Sequence, residues 1–273
     1  MRQKRCMAIN DISGIGRCAL GAMLPIIAMF DIECINIPTA VLSSSTAYKD
    51  FVMMDMSDYV GKYLEQYEKL QLHFDGCFIG FLGNAKVIHT LEDYILRSRP
   101  DFLFIDPIMG DNGLLYATYT NELVDGVRNL CQYADVITPN LTEFCALSEI
   151  EYDENMSDET IIKYCEKLGI KQIVVSGLER NNQIGNLIYD NGKVSYYYRD
   201  KVTQNRSGTG DVFSAVIYGA LLRDKSLYDA VVLASDFVYE AVLRSDKLVE
   251  DKEEGLAFEG LLGMLWSRIW QEN

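Results

Sequence analysis

The run Ser207-Gly208-Thr209-Gly210-Asp211 puts a flexible turn, a row of backbone N–H groups and one carboxylate side by side, just before the apolar Val212-Phe213-Ser214-Ala215. Gly208 and Gly210 let the backbone approach a ligand closely, and the apolar run starts a helix whose free N–H groups attract anions. Asp211 at that start is placed to accept the proton of a hydroxyl that attacks a nucleotide γ-phosphate. The same residues also describe an ordinary helix start with aspartate as its cap, so other segments have to separate the two readings.

Four of them lie where an apolar run ends. Asn10-Asp11-Ile12-Ser13-Gly14-Ile15-Gly16 joins a first strand to a helix and offers glycine flexibility and the Ser13 hydroxyl. It lacks the third glycine of a dinucleotide fingerprint, and no G-x-x-x-x-G-K-[ST] occurs anywhere, so Rossmann and P-loop chemistry are set aside. Thr39 to Thr46 is a hydroxyl-rich loop suited to a polar small molecule. Asp106-Pro107-Ile108-Met109-Gly110-Asp111 sets carboxylates at a strand end, which suits Mg²⁺ with its retained waters and phosphate oxygens. Thr138-Pro139-Asn140-Leu141-Thr142-Glu143 opens a helix with the spacing of a capping box.

The elements that must position these residues follow from periodicity. Short apolar runs alternate with helical patterns, the mark of βαβ units around a mostly parallel sheet with helices on both faces, an α/β three-layer architecture. Strands are predicted at Arg5–Ile9, Ile32–Ile37, Gly76–Ile79, Phe102–Ile105, Val136–Ile137 and Ile173–Val175, and ligands gather beyond the carboxyl ends of such strands. Helices are predicted at Ser57–Leu70, Asn84–Arg97, Asn121–Cys131, Ser157–Leu168, Val212–Leu222, Ser226–Leu243 and Gly255–Trp270. Asp190-Asn191-Gly192-Lys193 between Ile184–Tyr189 and Val194–Tyr198 signals a hairpin, and the acidic Asp246–Glu254 an exposed connection. With no repeat or linker in sight, residues 1–273 are expected to form one domain.

Forty acidic against 25 basic residues give a net charge of −15, which disfavours nucleic acid and anionic membrane surfaces as partners. The longest apolar stretch, Cys18 to Phe30, is too short to cross a bilayer and contains Pro25, at which a break is expected. Seven cysteines without a C-x-x-C pair read as reduced core residues of a cytoplasmic protein. His73 and His89 stand apart from glycine turns and clustered acids, so neither a histidine triad nor a zinc site is expected.

Taken in order, Asn-Asp-x-Ser-Gly, P-T-A-V-L-S, D-P-x-M-G-D, T-P-N-x-x-E and G-T-G-D resemble the ribokinase-like superfamily, in particular its pyridoxal (vitamin B6) kinase branch. The resemblance runs from Asn10 through Asp211 and implies a ribokinase-like fold that phosphorylates the 5′-hydroxymethyl of pyridoxal, pyridoxine or pyridoxamine in B6 salvage. ATP and Mg²⁺ would be its cofactors and a homodimer its assembly. By position Asp211 would be the base, and Gly208, Thr209 and Gly210 the anion hole. Asp106, Asn140 and Glu143 would hold Mg²⁺, its waters and the phosphates, with Asp106 and Glu143 nearest the metal. Ser176, Arg199, Asp200, Lys201 and Val202 would lie along the nucleotide. Ser13, Thr46, Ala47 and Phe81 would face the vitamin.

Where many members of that branch read Asn-His-Thr-Gly, this chain has Ser44-Ser45-Thr46-Ala47, which bears on the choice of vitamer. Asn112–Tyr119, glycine-hinged and tyrosine-rich, is the candidate lid. The hydroxymethylpyrimidine (phosphate) kinases of thiamine synthesis share the expected fold, base and chemistry and are the nearest alternative. A non-catalytic ligand-binding protein on the same scaffold is a third reading. Retention of Asp211, Glu143 and both glycines speaks against it.

Overall fold

The computed structural model describes residues 2–116, 118–202, 206–249 and 251–271. Ala117 of the candidate lid and Glu250 of the acidic run lie outside the described residues. In chain order the elements are β1 (Lys4–Ser13), α1 (Ala19–Met29), β2 (Ile32–Leu42), β3 (Met53–Asp55), α2 (Ser57–Lys69), β4 (Gly76–Ile79), α3 (Lys86–Arg97), β5 (Leu103–Ile105), β6 (Gly110–Asp111) and β7 (Leu114–Leu115). There follow α4 (Asn121–Cys131), β8 (Val136–Ile137), α5 (Leu141–Ser148), α6 (Asp158–Leu168), β9 (Gln172–Arg180), β10 (Gln183–Asp190), β11 (Lys193–Asp200), α7 (Thr209–Leu222), α8 (Leu227–Leu248) and α9 (Leu262–Trp270).

Nine strands form one sheet in the order β11-β10-β9-β8-β5-β4-β1-β2-β3, and β6 and β7 pair as a separate hairpin. The middle of the sheet, from β9 to β2, is parallel, whereas β10, β11 and β3 run antiparallel at the edges. Alternation along each strand splits the core in two. Met7, Ile9, Cys77, Ile79, Leu103 and Ile105 pack toward α2 to α6, while Cys6, Ala8, Phe78, Phe104 and Val174 pack toward α1, α7 and α8. On the second face the rings of Phe78 and Phe104 stack at 5.4 Å, and Tyr218 of α7 meets Phe104 at 5.5 Å, which seats α7 against the middle strands.

Several elements depart from the pattern read in the sequence. β1 and β2 stay paired past the expected ends, with a register shift between Asn10 and Ile12, so Asn10, Asp11 and Ser13 are strand residues and the loop after β2 begins only at Ser43. β3 pairs with this extension at Ala40, Val41 and Leu42. Alternation in these segments is interrupted by polar and hydroxyl residues, which hides a strand that leaves the core. α1 continues through Pro25, since a proline lacking one donor is tolerated where packing holds the helix on both sides. α8 runs five residues beyond Leu243, and the helix expected from Gly255 starts only at Leu262. Gly255 has φ +82° and Leu256, Ala257 and Phe258 are buried in non-helical backbone, so an apolar run of core residues imitated a helix. No described helix is long and apolar enough to cross a membrane.

Candidate active site

The parallel strands deliver their carboxyl ends to one edge, and the chemistry-bearing residues collect there. β1 brings Asn10, Asp11 and Ser13; Phe81 follows β4, Asp106 follows β5, Thr138 follows β8, and Ser176 lies in β9. α7 presents Asp211 in its first turn. Asp211 is partly exposed as a residue, yet its carboxyl is crowded by protein and lies close enough to the backbone N–H of Ala19 and the side-chain amide of Asn10 for both to favour its ionised form. Ala19 is the first residue of α1, so the amino ends of α1 and α7 meet at this one group. Burial, with Asp106 and then Asp11 adding like charge, outweighs these donors and lifts the Asp211 pKa to about 8.

The turn before Asp211 is built as the sequence suggests. Gly208 is the left-handed N-cap of α7 with φ +72°, and a Cβ there would strike the carbonyl oxygen of Arg17. Gly210 faces open space, which leaves its side of the turn free for a ligand. The Thr209 hydroxyl donates to the carbonyl of Arg206 at 2.7 Å and so locks the turn.

Asp106 is 5% exposed. Burial raises its pKa to about 7 against the pull of hydrogen bonds from Ser214 and Thr138. Thr138 Oγ1 reaches Asp106 at 3.2 Å and meets Ser214 Oγ at 3.0 Å, one helical turn after Asp211. Asn140 and Glu143 form the full capping box of α5, and Asn140 Nδ2 also donates to the carbonyl of Gly110. Glu143 accepts from the N–H groups of Met109 and Asn140 at 3.1 and 2.8 Å. Its pKa is pushed up by burial first and by the Asp106 charge second. The capping box is thus formed by the same two residues that the sequence offered for the site.

Asp11 adds like charge at Asp211, as Asp106 does at both Asp211 and Glu143. Burial raises the Asp11 pKa to about 6 although Ser13 Oγ donates to it at 3.0 Å. Among the described residues the ligand atoms of these acids do not converge as a group of three or more, so Asp106 and Glu143, the first of which raises the pKa of the second, are the pair whose oxygen donors suit Mg²⁺.

Other expected positions fall differently. Ser176 pairs its N–H with the carbonyl of Pro139 at 2.9 Å and so joins β9 to the start of α5, beside the acids. Arg199 is held by Asp236 at 2.5 Å and lies 4.2 Å over the Tyr239 ring, and Lys201 pairs with Glu179 at 2.6 Å. Both cations at the β9–β11 edge are thus paired with acids in this structure. Asp200 accepts from Gln183 at 3.3 Å in an exposed position, and Val202 packs partly buried on the α7 side of the core. Phe81 is a buried wall residue, edge-on to Tyr119 at 6.1 Å, with its N–H on Asn10 Oδ1. Thr46 and Ala47 sit in an exposed turn, and the buried hydroxyls of this loop are Ser44 and Ser45 instead.

Sequence reasoning gave no role to Asp11 or Cys18, and named Ser45 and Tyr116 only as parts of the Ser44–Ala47 run and the candidate lid. Cys18 precedes α1 beside Asp211, Asp11 and Ser13, and burial pushes its thiol pKa up, with those acids adding to the effect. Ser45 Oγ is buried without a partner and packs against Gly16. The β6–β7 hairpin, part of the expected lid, carries Tyr116 to the acids; burial raises its phenol pKa first, then Glu143, Asp111, Asp211 and Asp106. Asp11 lay in the first motif, Ser45 and Tyr116 in segments singled out for other reasons, and Cys18 carried no signal beyond its apolar surroundings.

Residues 24–254 match the family described as phosphomethylpyrimidine kinase. The chain is 29% identical over 216 residues to the hydroxymethylpyrimidine/phosphomethylpyrimidine kinase of Haemophilus influenzae, covering 75% of this chain and 79% of that one. A crystal structure from Bacteroides thetaiotaomicron, assigned as a phosphomethylpyrimidine kinase, superimposes with TM-score 0.93 at 30% identity over 97% of this chain and 94% of its own. Pyridoxal kinase from Lactobacillus plantarum gives 0.91 at 28% identity, with 98% of each chain covered. The chain belongs to the phosphomethylpyrimidine kinase family, within the ribokinase-like superfamily, and is an ATP-dependent small-molecule kinase of the pyridoxal/hydroxymethylpyrimidine type.

Proposed function

We propose that the chain transfers the γ-phosphoryl group of ATP to the 5′-hydroxymethyl of a B6 vitamer. The observation that carries this reading is Asp211, an acid held at the amino ends of two helices and next to an open glycine turn. In its ionised form Asp211 takes the hydroxymethyl proton as the oxygen attacks phosphorus. The N–H groups of Gly208 to Asp211 face the negative charge that develops on the moving group. The Asn10 amide and Ala19 N–H keep the carboxylate aimed while Phe81 walls the acceptor side. Asp106 and Glu143 would hold Mg²⁺, which when bound neutralises phosphate charge and favours the ionised form of the neighbouring acids.

Crystals of the Bacteroides protein contain pyridoxal, which supports the vitamin as acceptor. The Haemophilus relative supports hydroxymethylpyrimidine equally, because both acceptors present a hydroxymethyl on a six-membered nitrogen ring. Turnover with pyridoxal and hydroxymethylpyrimidine supplied together decides between them. Preferential phosphate on the vitamin supports the reading proposed here, and preferential phosphate on the pyrimidine replaces it with the second.

We also propose a homodimer. Ile12, Val41, Val52 and Met54 on the β1–β2–β3 extension are 38%, 41%, 75% and 64% exposed, an apolar patch beside an unpaired edge strand.

A further inference from the structure

Arg206 stands immediately before the anion turn, and its side chain is only 2% exposed. A buried guanidinium normally has all its donors matched. Here Nε and Nη2 both reach Asp246 Oδ1 at 3.1 Å, and Nη2 also reaches the carbonyl oxygen of Val249 at 3.0 Å. Asp246 belongs to the last turn of α8 and Val249 is its C-cap, so the cation sits where the helix dipole is negative. At the other end of the same residue, the backbone carbonyl holds the Thr209 hydroxyl. Nη1 is buried with no partner.

Stability alone is a poor reason for this arrangement, since a buried ion pair is often replaceable by apolar residues without loss, and the unmatched N–H adds a cost. The arrangement does have a geometric effect. It fixes the residue that enters the Gly208 turn to the end of α8, while Ser207 N–H bonds the carbonyl of Lys252 at 3.3 Å and Gly208 lies against Arg17. The amides that face the phosphoryl group, and Asp211 one turn on, are thereby set from outside the site.

We propose that Arg206, braced by Asp246, is a positioning residue for phosphoryl transfer, an inference that rests on the reading of the Gly208–Gly210 turn as the anion site. The test measures kcat, KM for ATP, KM for the acceptor and melting temperature in Arg206→Ala, Arg206→Lys, Asp246→Asn and the Arg206→Ala/Asp246→Asn double variant, all assayed well below their melting points. A turn displaced by an ångström costs about 10²-fold, so Arg206→Ala should lose about that much in kcat while acceptor KM stays near wild type. Lysine, which keeps the charge without the two-pronged fork, should recover part of the loss. The double variant should be no slower than Arg206→Ala, because both changes break one brace.

Wild-type kcat in Arg206→Ala, or losses that multiply in the double variant, would overturn the inference. Should Arg206→Ala fail to fold, Arg206→Lys and Asp246→Asn decide it by the same criterion, a kcat loss without acceptor KM change. A wild-type protein that phosphorylates neither acceptor defeats the functional reading instead, which keeps the two failures apart.

Discussion

The Asp211 carboxyl lies beside the backbone N–H of Ala19, so the amino ends of α7 and α1 meet at a single side chain. Both helix ends favour the ionised acid, and burial beside Asp106 and Asp11 opposes them and prevails. The site is therefore acid-rich, and burial favours the protonated, neutral form of its acids.

One consequence concerns stability. Asp11, Asp106 and Asp211 hold their protons up to about 6, 7 and 8 in the folded chain, whereas an unfolded aspartate releases its proton near 3.9. Raised folded values mean stability that is fully present below the unfolded value and is lost as pH rises through the folded ones. The melting temperature of Mg²⁺-free protein should fall between about pH 5 and pH 8, and Asp106→Asn should flatten that slope. Calorimetry across this range checks it; a steeper slope in Asp106→Asn would contradict it.

The two glycines of the turn should respond differently. Gly208→Ala forces a side chain into a left-handed backbone and onto the Arg17 carbonyl, which should cost about 1–3 kcal/mol from the backbone alone, with activity lost as the turn shifts. Gly210→Ala meets no atom and should melt like wild type yet turn over more slowly, because its open side is where the phosphoryl group passes. Melting curves and kcat for both variants test the contrast, and equal behaviour in both assays would refute it.

Ser45 Oγ has no partner to lose. Ser45→Ala should keep or raise the melting temperature, while the kcat/KM ratios among pyridoxal, pyridoxine and pyridoxamine shift by about two- to tenfold, the worth of one hydrogen bond. A drop in melting temperature with unchanged ratios would make the hydroxyl structural.

The apolar patch on the β1–β2–β3 extension should bury itself against a second copy. Sedimentation is expected to give a dimer for the wild type and a monomer for Met54→Asp; a monomeric wild type ends the proposal.

Much of the site was legible because it is local. Gly208 to Asp211 and Asn140 to Glu143 are contiguous motifs whose turn and cap chemistry is dictated by neighbours in the chain, and the structure forms both as expected. The central strands were legible for a similar reason, being short apolar runs buried on both faces. What could not be read depends on distant partners. Arg199 and Lys201 carry charge that looks available until Asp236 and Glu179, brought close by folding, claim it. Asp246 looked like part of a solvated acidic run and is exposed, yet folding sets its carboxylate against Arg206, 40 residues away. The β1–β2 extension escaped notice because its alternation is broken where it leaves the core.

The most direct measurement of the central claim is single-turnover phosphoryl transfer by wild type and Asp211→Asn with ATP, Mg²⁺ and each hydroxymethyl acceptor, together with nucleotide affinity. Loss of a general base should slow transfer by about 10²–10⁴-fold while ATP binds as before. Transfer at the wild-type rate in Asp211→Asn would contradict the account.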